Sequence, residues 1–199
     1  MNSKFWNERY STNDTVYGLK PNAFFQEQLS KHKSGKLLLP AEGEGRNALF
    51  AAQLGWQVEA FDFSEAAREK ALAIAHQFDA ELEYKLANIQ TILLQPDTYD
   101  VIGLIYVHLE SDLRKHFHSQ CIQSLNKGGY IILEAFSKKQ LTYSSGGPRD
   151  VNMLYSLGQL LDDFASMKIV YSNTEDVVLE EGAFHTGKAS VVRLVARKD

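Results

Sequence analysis

The chain is poor in the features that most quickly betray a function. It has one cysteine, Cys121, among 199 residues. That excludes an internal disulfide and a cysteine-built zinc site. No apolar stretch is long enough to span a bilayer, and no apolar run follows Met1-Asn2-Ser3-Lys4-Phe5. The expectation is therefore a cytoplasmic protein without a membrane partner. A basic stripe is also missing. There are 21 basic and 25 acidic residues, for a net charge of −4, and the longest basic cluster is Lys138-Lys139. Nucleic acid is an unsuitable partner for such a surface. No repeat, linker or low-complexity segment interrupts the sequence. A hydrophobic content of 44% is ample for one core, so 1–199 reads as a single domain.

What is present begins at Leu37-Leu38-Leu39-Pro40-Ala41-Glu42-Gly43-Glu44-Gly45-Arg46-Asn47-Ala48. An apolar run breaks into a glycine turn that opens into a helical pattern. Val58-Glu59-Ala60-Phe61-Asp62 follows, placing Asp62 17 residues beyond Gly45. Glycines allow a ligand close to the backbone, and an acid ending the next strand can accept from a ribose diol. The pattern points to an adenosine-containing cofactor. Asp62 as a mere helix cap, and the turn as a purely structural one, are the plainer alternatives.

Strand candidates are 36–39, 57–62, 82–86, 100–107 and 130–135. Helical patterns fill 47–54, 65–77 and 112–125, with Ser64 and Ser111 as N-cap candidates and Asn126-Lys127-Gly128-Gly129 as a helix stop. Such alternation calls for a parallel sheet with helices on both faces and ligands at the carboxyl ends of the strands. The last third changes rhythm. A loop over 144–150 leads to a short helix near 157–164. Two β-rich runs, 167–179 and 189–197, then read as an antiparallel hairpin with a long tip over 180–190. At the other end, Phe5-Trp6-Asn7-Glu8-Arg9-Tyr10 and Tyr17-Gly18 are too aromatic for a free tail.

Of six histidines, His116 and His118 stand two apart on a helix and face different sides, so they do not chelate. Leu113, Phe117, Cys121 and Leu125 repeat every fourth residue, which puts Cys121 on the core face as an inert thiol. His32 and His76 end helices. His108, after the fourth strand, and His185, at the hairpin tip, remain as candidates for proton chemistry.

Taken together, the residues resemble the class I S-adenosylmethionine-dependent methyltransferases, and within them the small tellurite-resistance and thiol-methyltransferase-like group. The resemblance rests on the Phe-Trp-Asn-Glu-Arg-Tyr segment, the Gly43-Glu44-Gly45-Arg46-Asn47 turn, Asp62, Asn88, Val107-His108-Leu109, Gly128-Gly129 and the closing Val192–Lys198 run. It implies a three-layer, Rossmann-like α/β fold with a seven-stranded sheet, mostly parallel with an antiparallel C-terminal hairpin. It implies S-adenosylmethionine as cofactor, with Arg9, Tyr17, Ala41, Glu42, Gly43, Gly45, Asp62, Phe63, Asn88, Ile89 and Val107 around it. Residues 1–20, through Trp6, Tyr10 and Tyr17, become a lid. Arg9 is assigned to the cofactor carboxylate.

Two positions depart from the family's usual acid-x-Gly-x-Gly-x-Gly turn. Leu39 replaces the acid, and Ala41 the first glycine. Glu42 is the stand-in for the lost acid. In the tellurite-resistance relatives the hairpin supplies a His-Arg pair and a further Arg. Here these positions read His185-Thr186 and Arg193, with Lys188 nearby. His185, Arg193 and His108 are thus the catalytic candidates, and no metal site is expected. The expected partner is a small-molecule acceptor, a soft anion such as a thiol or chalcogen oxyanion, and the protein is expected to be a monomer or weak dimer.

Two other classes stay open. Gly43-x-Gly45-x-x-Ala48 also fits the NAD-binding fingerprint of an oxidoreductase. Against it stand Glu42 and Glu44, which suit a sulfonium ligand better than a pyrophosphate. A non-catalytic S-adenosylmethionine-binding module has the same sequence signature.

Overall fold

The computed structural model describes residues 3–11 and 15–199; positions 1, 2 and 12–14 of the expected lid lie outside the described residues. Seven strands form one sheet: β1 Lys36–Pro40, β2 Gln57–Asp62, β3 Glu83–Leu86, β4 Tyr99–Ile105, β5 Leu125–Phe136, β6 Lys168–Glu180 and β7 Thr186–Arg197. Their order is β3-β2-β1-β4-β5-β7-β6. The first five run parallel; β7 enters antiparallel between β5 and β6. This is the expected Rossmann-like sheet with its terminal hairpin.

The helices are α1 Ser3–Tyr10, α2 Ala23–Leu29, α3 Arg46–Gln53, α4 Glu65–Gln77, α5 Ser111–Ser124 and α6 Leu157–Asp163. Side-chain alternation along the strands assigns them to two faces. Leu37 and Leu39 of β1 join Phe25, Ala48 and Ala51 of α2 and α3. Leu38 between them joins Phe117, Cys121 and Leu160 of α5 and α6. Both faces are covered, so the central strands are apolar throughout. A Cβ at Gly103 of β4 would stand 2.6 Å from Leu39 Cδ2 and 2.9 Å from Phe25 Cε2. That glycine lets α2 lie against the sheet.

The elements expected from the sequence are present, with differences. The N-terminal aromatic segment forms helix α1, and the tip expected over 180–190 is cut to 181–185, because β6 runs through Glu180 and β7 starts at Thr186. α2 had no strong periodic signal; it is set by Asn22, whose side chain accepts from Phe25 N. Ser111 is the first residue of α5, and the N-cap is Glu110, without a side-chain cap bond. The stop after α5 comes earlier than the glycines. Leu125 is already extended and pairs with Tyr99, and the register shifts before Val101 meets Tyr130.

Strand order reverses between β1 and β4, so the turn after β1 and the loop after β4 diverge at their carboxyl ends. A crevice opens there, as in other open α/β sheets.

Candidate active site

Ala41 leaves β1 at φ +51°, followed by Gly43 at +63° and Gly45 at +82°. Ala41 occupies the position where the related turns carry glycine, and it keeps the left-handed conformation at a cost of about 1–2 kcal/mol. Glu42 turns back to accept from Asn47 N (2.8 Å) and Ala48 N (2.9 Å) at the start of α3. Burial nevertheless raises its carboxyl to about 7. Glu44 was expected to face the ligand. Instead it points away, accepting from Val16 N and from Lys70 Nζ. It fastens a strap, residues 15–22 between α1 and α2, to α4.

Asp62, at the end of β2, accepts from Gly43 N (3.1 Å) and Ser64 N (2.9 Å). Ser64 itself caps α4 through Ala67 N, so Asp62 is not that cap. Burial pushes the Asp62 carboxyl up, and the backbone donors oppose this. An ionised carboxylate offers about four acceptor sites, so acceptor capacity remains beyond the backbone donors of Gly43, Phe63 and Ser64.

Two cavities meet over Ala41, Asp62, Phe63 and Met153. One runs toward Asn88, Ile89 and Leu109. Asn88 Oδ1 accepts from Gln90 N, which leaves its amide NH₂ without a partner among the described residues. The other, about 430 Å³, is walled by Trp6, Tyr10, Tyr17, Tyr106, Val107 and Phe136 and carries Arg9, Arg46, Arg149, His108 and His185.

Arg9 of α1 donates to Tyr17 Oη (3.3 Å) and lies over the Phe184 ring at 4.4 Å. Arg149 donates to the Tyr143 carbonyl. Neither forms an ion pair among the described residues. Arg46 does, to Glu181 at 2.9 Å. The hairpin tip is locked against the strap, because a Cβ at Gly182 would sit 2.4 Å from the Val16 carbonyl oxygen.

His185, expected near a loop tip, is buried between the rings of Tyr17, Tyr106 and Phe136. Burial holds its imidazole below the usual histidine range, the Glu181 carboxylate opposing the shift. His108 must be corrected as a base. Its Nδ1 bonds the Met153 carbonyl (2.7 Å) and its Nε2 accepts from Phe136 N (3.3 Å). Both nitrogens are engaged, and burial lowers its pKa to about 4. It ties the loop after β4 to β5.

Arg193 must be corrected as a catalytic candidate that would hold an anionic acceptor. It lies outside the cavity, bound to Glu134 (2.5 Å) and Glu175 (2.6 Å), with its guanidinium over the Phe24 ring. Glu134 is a buried strand residue and draws that charge into the sheet. Arg46, Arg149, Tyr106 and Glu181 complete the site and were not singled out beforehand. Arg46 stood visible inside the glycine turn; the others depend on chain crossings that no local pattern records.

The residues fit an S-adenosyl ligand. The two cavities adjoin, the buried Asp62 carboxylate with open acceptor capacity stands where they meet, and the Arg9 guanidinium, without an ion partner among the described residues, lines one of them. Among the described residues, no group of three His, Cys, Asp or Glu side chains is placed to hold a metal ion. Nor is any helix of those residues long and apolar enough to cross a membrane.

A seven-stranded sheet of this order with a ligand trough over β1, β2 and β4 defines the class as a methyltransferase-type α/β fold. Comparison with known proteins agrees. Residues 40–129 match the family model described as a methyltransferase domain. No curated protein sequence matches. Among solved structures, TehB from Haemophilus influenzae is similar with a TM-score of 0.75 and 18% identity, over 99% of this chain and 67% of that one. A protein described for the conversion of a disulfide bond into a thioacetal group during echinomycin biosynthesis has a TM-score of 0.75 at 16% identity, over 99% and 90%. A SAM-dependent methyltransferase from Methanosarcina mazei has 0.72 at 15%, over 90% and 99%. At such identities the solved structures speak for the fold. The domain match with that fold supports an enzyme, an S-adenosylmethionine-dependent methyltransferase, and implies S-adenosylmethionine as its cofactor.

Proposed function

We propose that the protein methylates a small anionic thiol from S-adenosylmethionine. The observation that carries this reading is the aromatic cavity in which His185 stands with two guanidiniums, Arg9 and Arg149, that have no ion pair among the described residues. One guanidinium matches the cofactor carboxylate and the other an anionic group on the acceptor, replacing the charge once sought from Arg193. The sulfur chemistry described for the echinomycin-pathway neighbour is a further support.

In this reading Asp62 takes the ribose diol and Asn88 and Ile89 line the adenine edge. Ala41, Gly43 and Gly45 bring backbone close to the cofactor. Arg9 binds its carboxylate, the remaining acceptor site of Glu42 faces its ammonium, and Tyr17, Phe63 and Val107 close the walls. Trp6, Tyr10 and Tyr17 of segment 1–20, with the hairpin tip 181–185, exclude water. When bound, S-adenosylmethionine supplies an electrophilic methyl group, whose capture by a sulfur leaves a neutral thioether. Exclusion of water and in-line alignment do most of the remaining work. His185 accepts the acceptor's S–H proton at Nε2 and releases it to solvent once the product has left. Its depressed pKa keeps it neutral near pH 7, so activity is lost as pH falls through that pKa.

Calorimetry with S-adenosylhomocysteine and with NAD tests the cofactor, with micromolar binding of the former expected, roughly 8 kcal/mol. 3-Mercaptopropionate, an aliphatic thiol that keeps its S–H at neutral pH, is the acceptor probe, against catechol, benzylamine, RNA, selenite and tellurite. Arg149→Ala is expected to raise its KM about fivefold while S-adenosylhomocysteine affinity stays constant, the modest effect of an exposed charge pair. Turnover of catechol or amine but no thiol rejects the acceptor. Turnover of selenite or tellurite alone moves the reading to a chalcogen oxyanion. Cofactor binding without turnover of anything leaves the non-catalytic module, and NAD binding alone the oxidoreductase.

A further inference from the structure

The carboxylate of Glu181 lies just beyond the end of β6, and three side chains from three segments converge on it. Arg46 Nη2, from the first residue of α3, donates at 2.9 Å. Asn22 Nδ2, from the cap of α2, donates at 3.1 Å. His185 Nδ1, four residues on in the same turn, stands at 3.3 Å. The turn is closed by Glu181 N donating to the His185 carbonyl at 2.9 Å.

The three donors are themselves constrained. Asn22 uses its other amide hydrogen on Glu134 (2.6 Å), its Oδ1 on Phe25 N, and its backbone N–H on Asn47 Oδ1. It therefore has no freedom to turn. Arg46 is held again by the Lys20 carbonyl. Glu181 is thus a fixed acceptor, and its side chain is only 13% exposed.

A carboxylate accepts and does not donate, so the hydrogen between Glu181 and His185 belongs to Nδ1. The neutral imidazole then carries its lone pair on Nε2. No protein group among the described residues takes that nitrogen, and the ring lines the cavity. A Cβ at Gly146 would come within 2.6 Å of His185 Cδ2, so the loop rim at Gly146 confines the ring from the remaining side.

We propose that Glu181 is a positioning residue, which fixes the tautomer and direction of His185 so that Nε2 presents its lone pair to the acceptor. This rests on the reading of His185 as the acceptor-side base. Arg46 keeps Glu181 ionised, and Asn22 keeps it in place. The charged and titratable groups around His185 are Glu181 in its own turn, Arg46 of α3, Arg9 of α1, Tyr17 of the strap, Tyr106 after β4, and His108. Of these, Glu181 favours the charged imidazolium, while Arg46, Arg9 and burial oppose it.

The test reads His185 without turnover. Nitrogen-15 NMR of the histidine-labelled protein with S-adenosylhomocysteine reports tautomer and pKa together. Wild type is expected to show the Nδ1–H form. Glu181→Leu is expected to populate the Nε2–H form and lower kcat for 3-mercaptopropionate by about tenfold to a hundredfold, the effect of a misdirected group. Glu181→Gln keeps an acceptor and the fold but removes the charge. It is expected to retain the tautomer while shifting the acid limb of kcat/KM and the His185 titration together to lower pH. An Nε2–H form in wild type, or a His185 pKa unmoved in Glu181→Gln, overturns the proposal. If the tautomer and the Glu181→Gln shift are as expected but no thiol is methylated, the positioning stands and the thiol acceptor falls.

Discussion

In the proposed reading one carboxylate serves the cofactor and another the acceptor, and they are held in opposite ways. Asp62, on the cofactor side, is set by backbone N–H groups of Gly43 and Ser64. Glu181, on the acceptor side, is set by side chains of Asn22, Arg46 and His185. The first arrangement is a property of a strand end and a glycine turn. Almost any side chains that fold into the turn reproduce it. The second requires a particular residue at each of three places, the farthest of them 159 positions from Glu181. A cofactor end built from backbone tolerates drift, and an acceptor end built from side chains can be retuned one substitution at a time.

Arg193 offers the widest break in this comparison. If its charge belongs to the sheet rather than the site, Arg193→Leu strands the buried Glu134. A loss of about 3–5 kcal/mol in chemical denaturation is expected, with S-adenosylhomocysteine affinity little changed in the folded fraction. Unchanged stability with a raised acceptor KM would return Arg193 to the acceptor.

Asp62→Ala sharpens the cofactor end. Charge-assisted bonds are worth roughly 1.5–3 kcal/mol each, so S-adenosylhomocysteine binding is expected to weaken by about 2–3 kcal/mol in calorimetry. A smaller loss would assign Asp62 to holding Gly43 and Ser64 alone.

His108 gives the smallest effect and separates fixing from catalysis. His108→Ala leaves Phe136 N and the Met153 carbonyl without partners, for about 1–3 kcal/mol. Its folded pKa of about 4 lies below the ordinary 6.5. The unfolded chain therefore binds the extra proton first. Wild-type stability contributed by neutral His108 is present above about 6.5 and is lost as pH falls toward 4. The variant is expected to lose that slope in denaturation curves while the acid limb of kcat/KM remains. Loss of the limb itself would restore His108 as the base.

Legibility in the sequence followed the same division. The β1–α3–β2 unit was readable because every signal in it is local: the Leu37–Leu39 run, the glycines and the acid 17 positions beyond Gly45. Even the departure at Ala41 was readable, since the backbone there keeps the conformation glycine favours. The hairpin was legible as β-structure. The direction of its side chains was not, because period two leaves the assignment of faces to the partner strand, and Glu134 opposite Arg193 decided it. α2 escaped notice because its seven residues are anchored by Asn22, whose reach to Glu134 and Glu181 no spacing rule encodes.

The single thiol of the chain has a consequence for chemistry in solution. Cys121 is wholly enclosed between α5 and the sheet, and burial pushes its ionisation up. Under the proposed thiol reading, the folded protein thereby offers no accessible thiol of its own to form a mixed disulfide or to become an adventitious methyl acceptor. Labelling by a thiol reagent, slow in the folded state, then acts as a clock for the opening of the α5 face, and any methylated cysteine recovered from the protein records an unfolding event rather than a turnover.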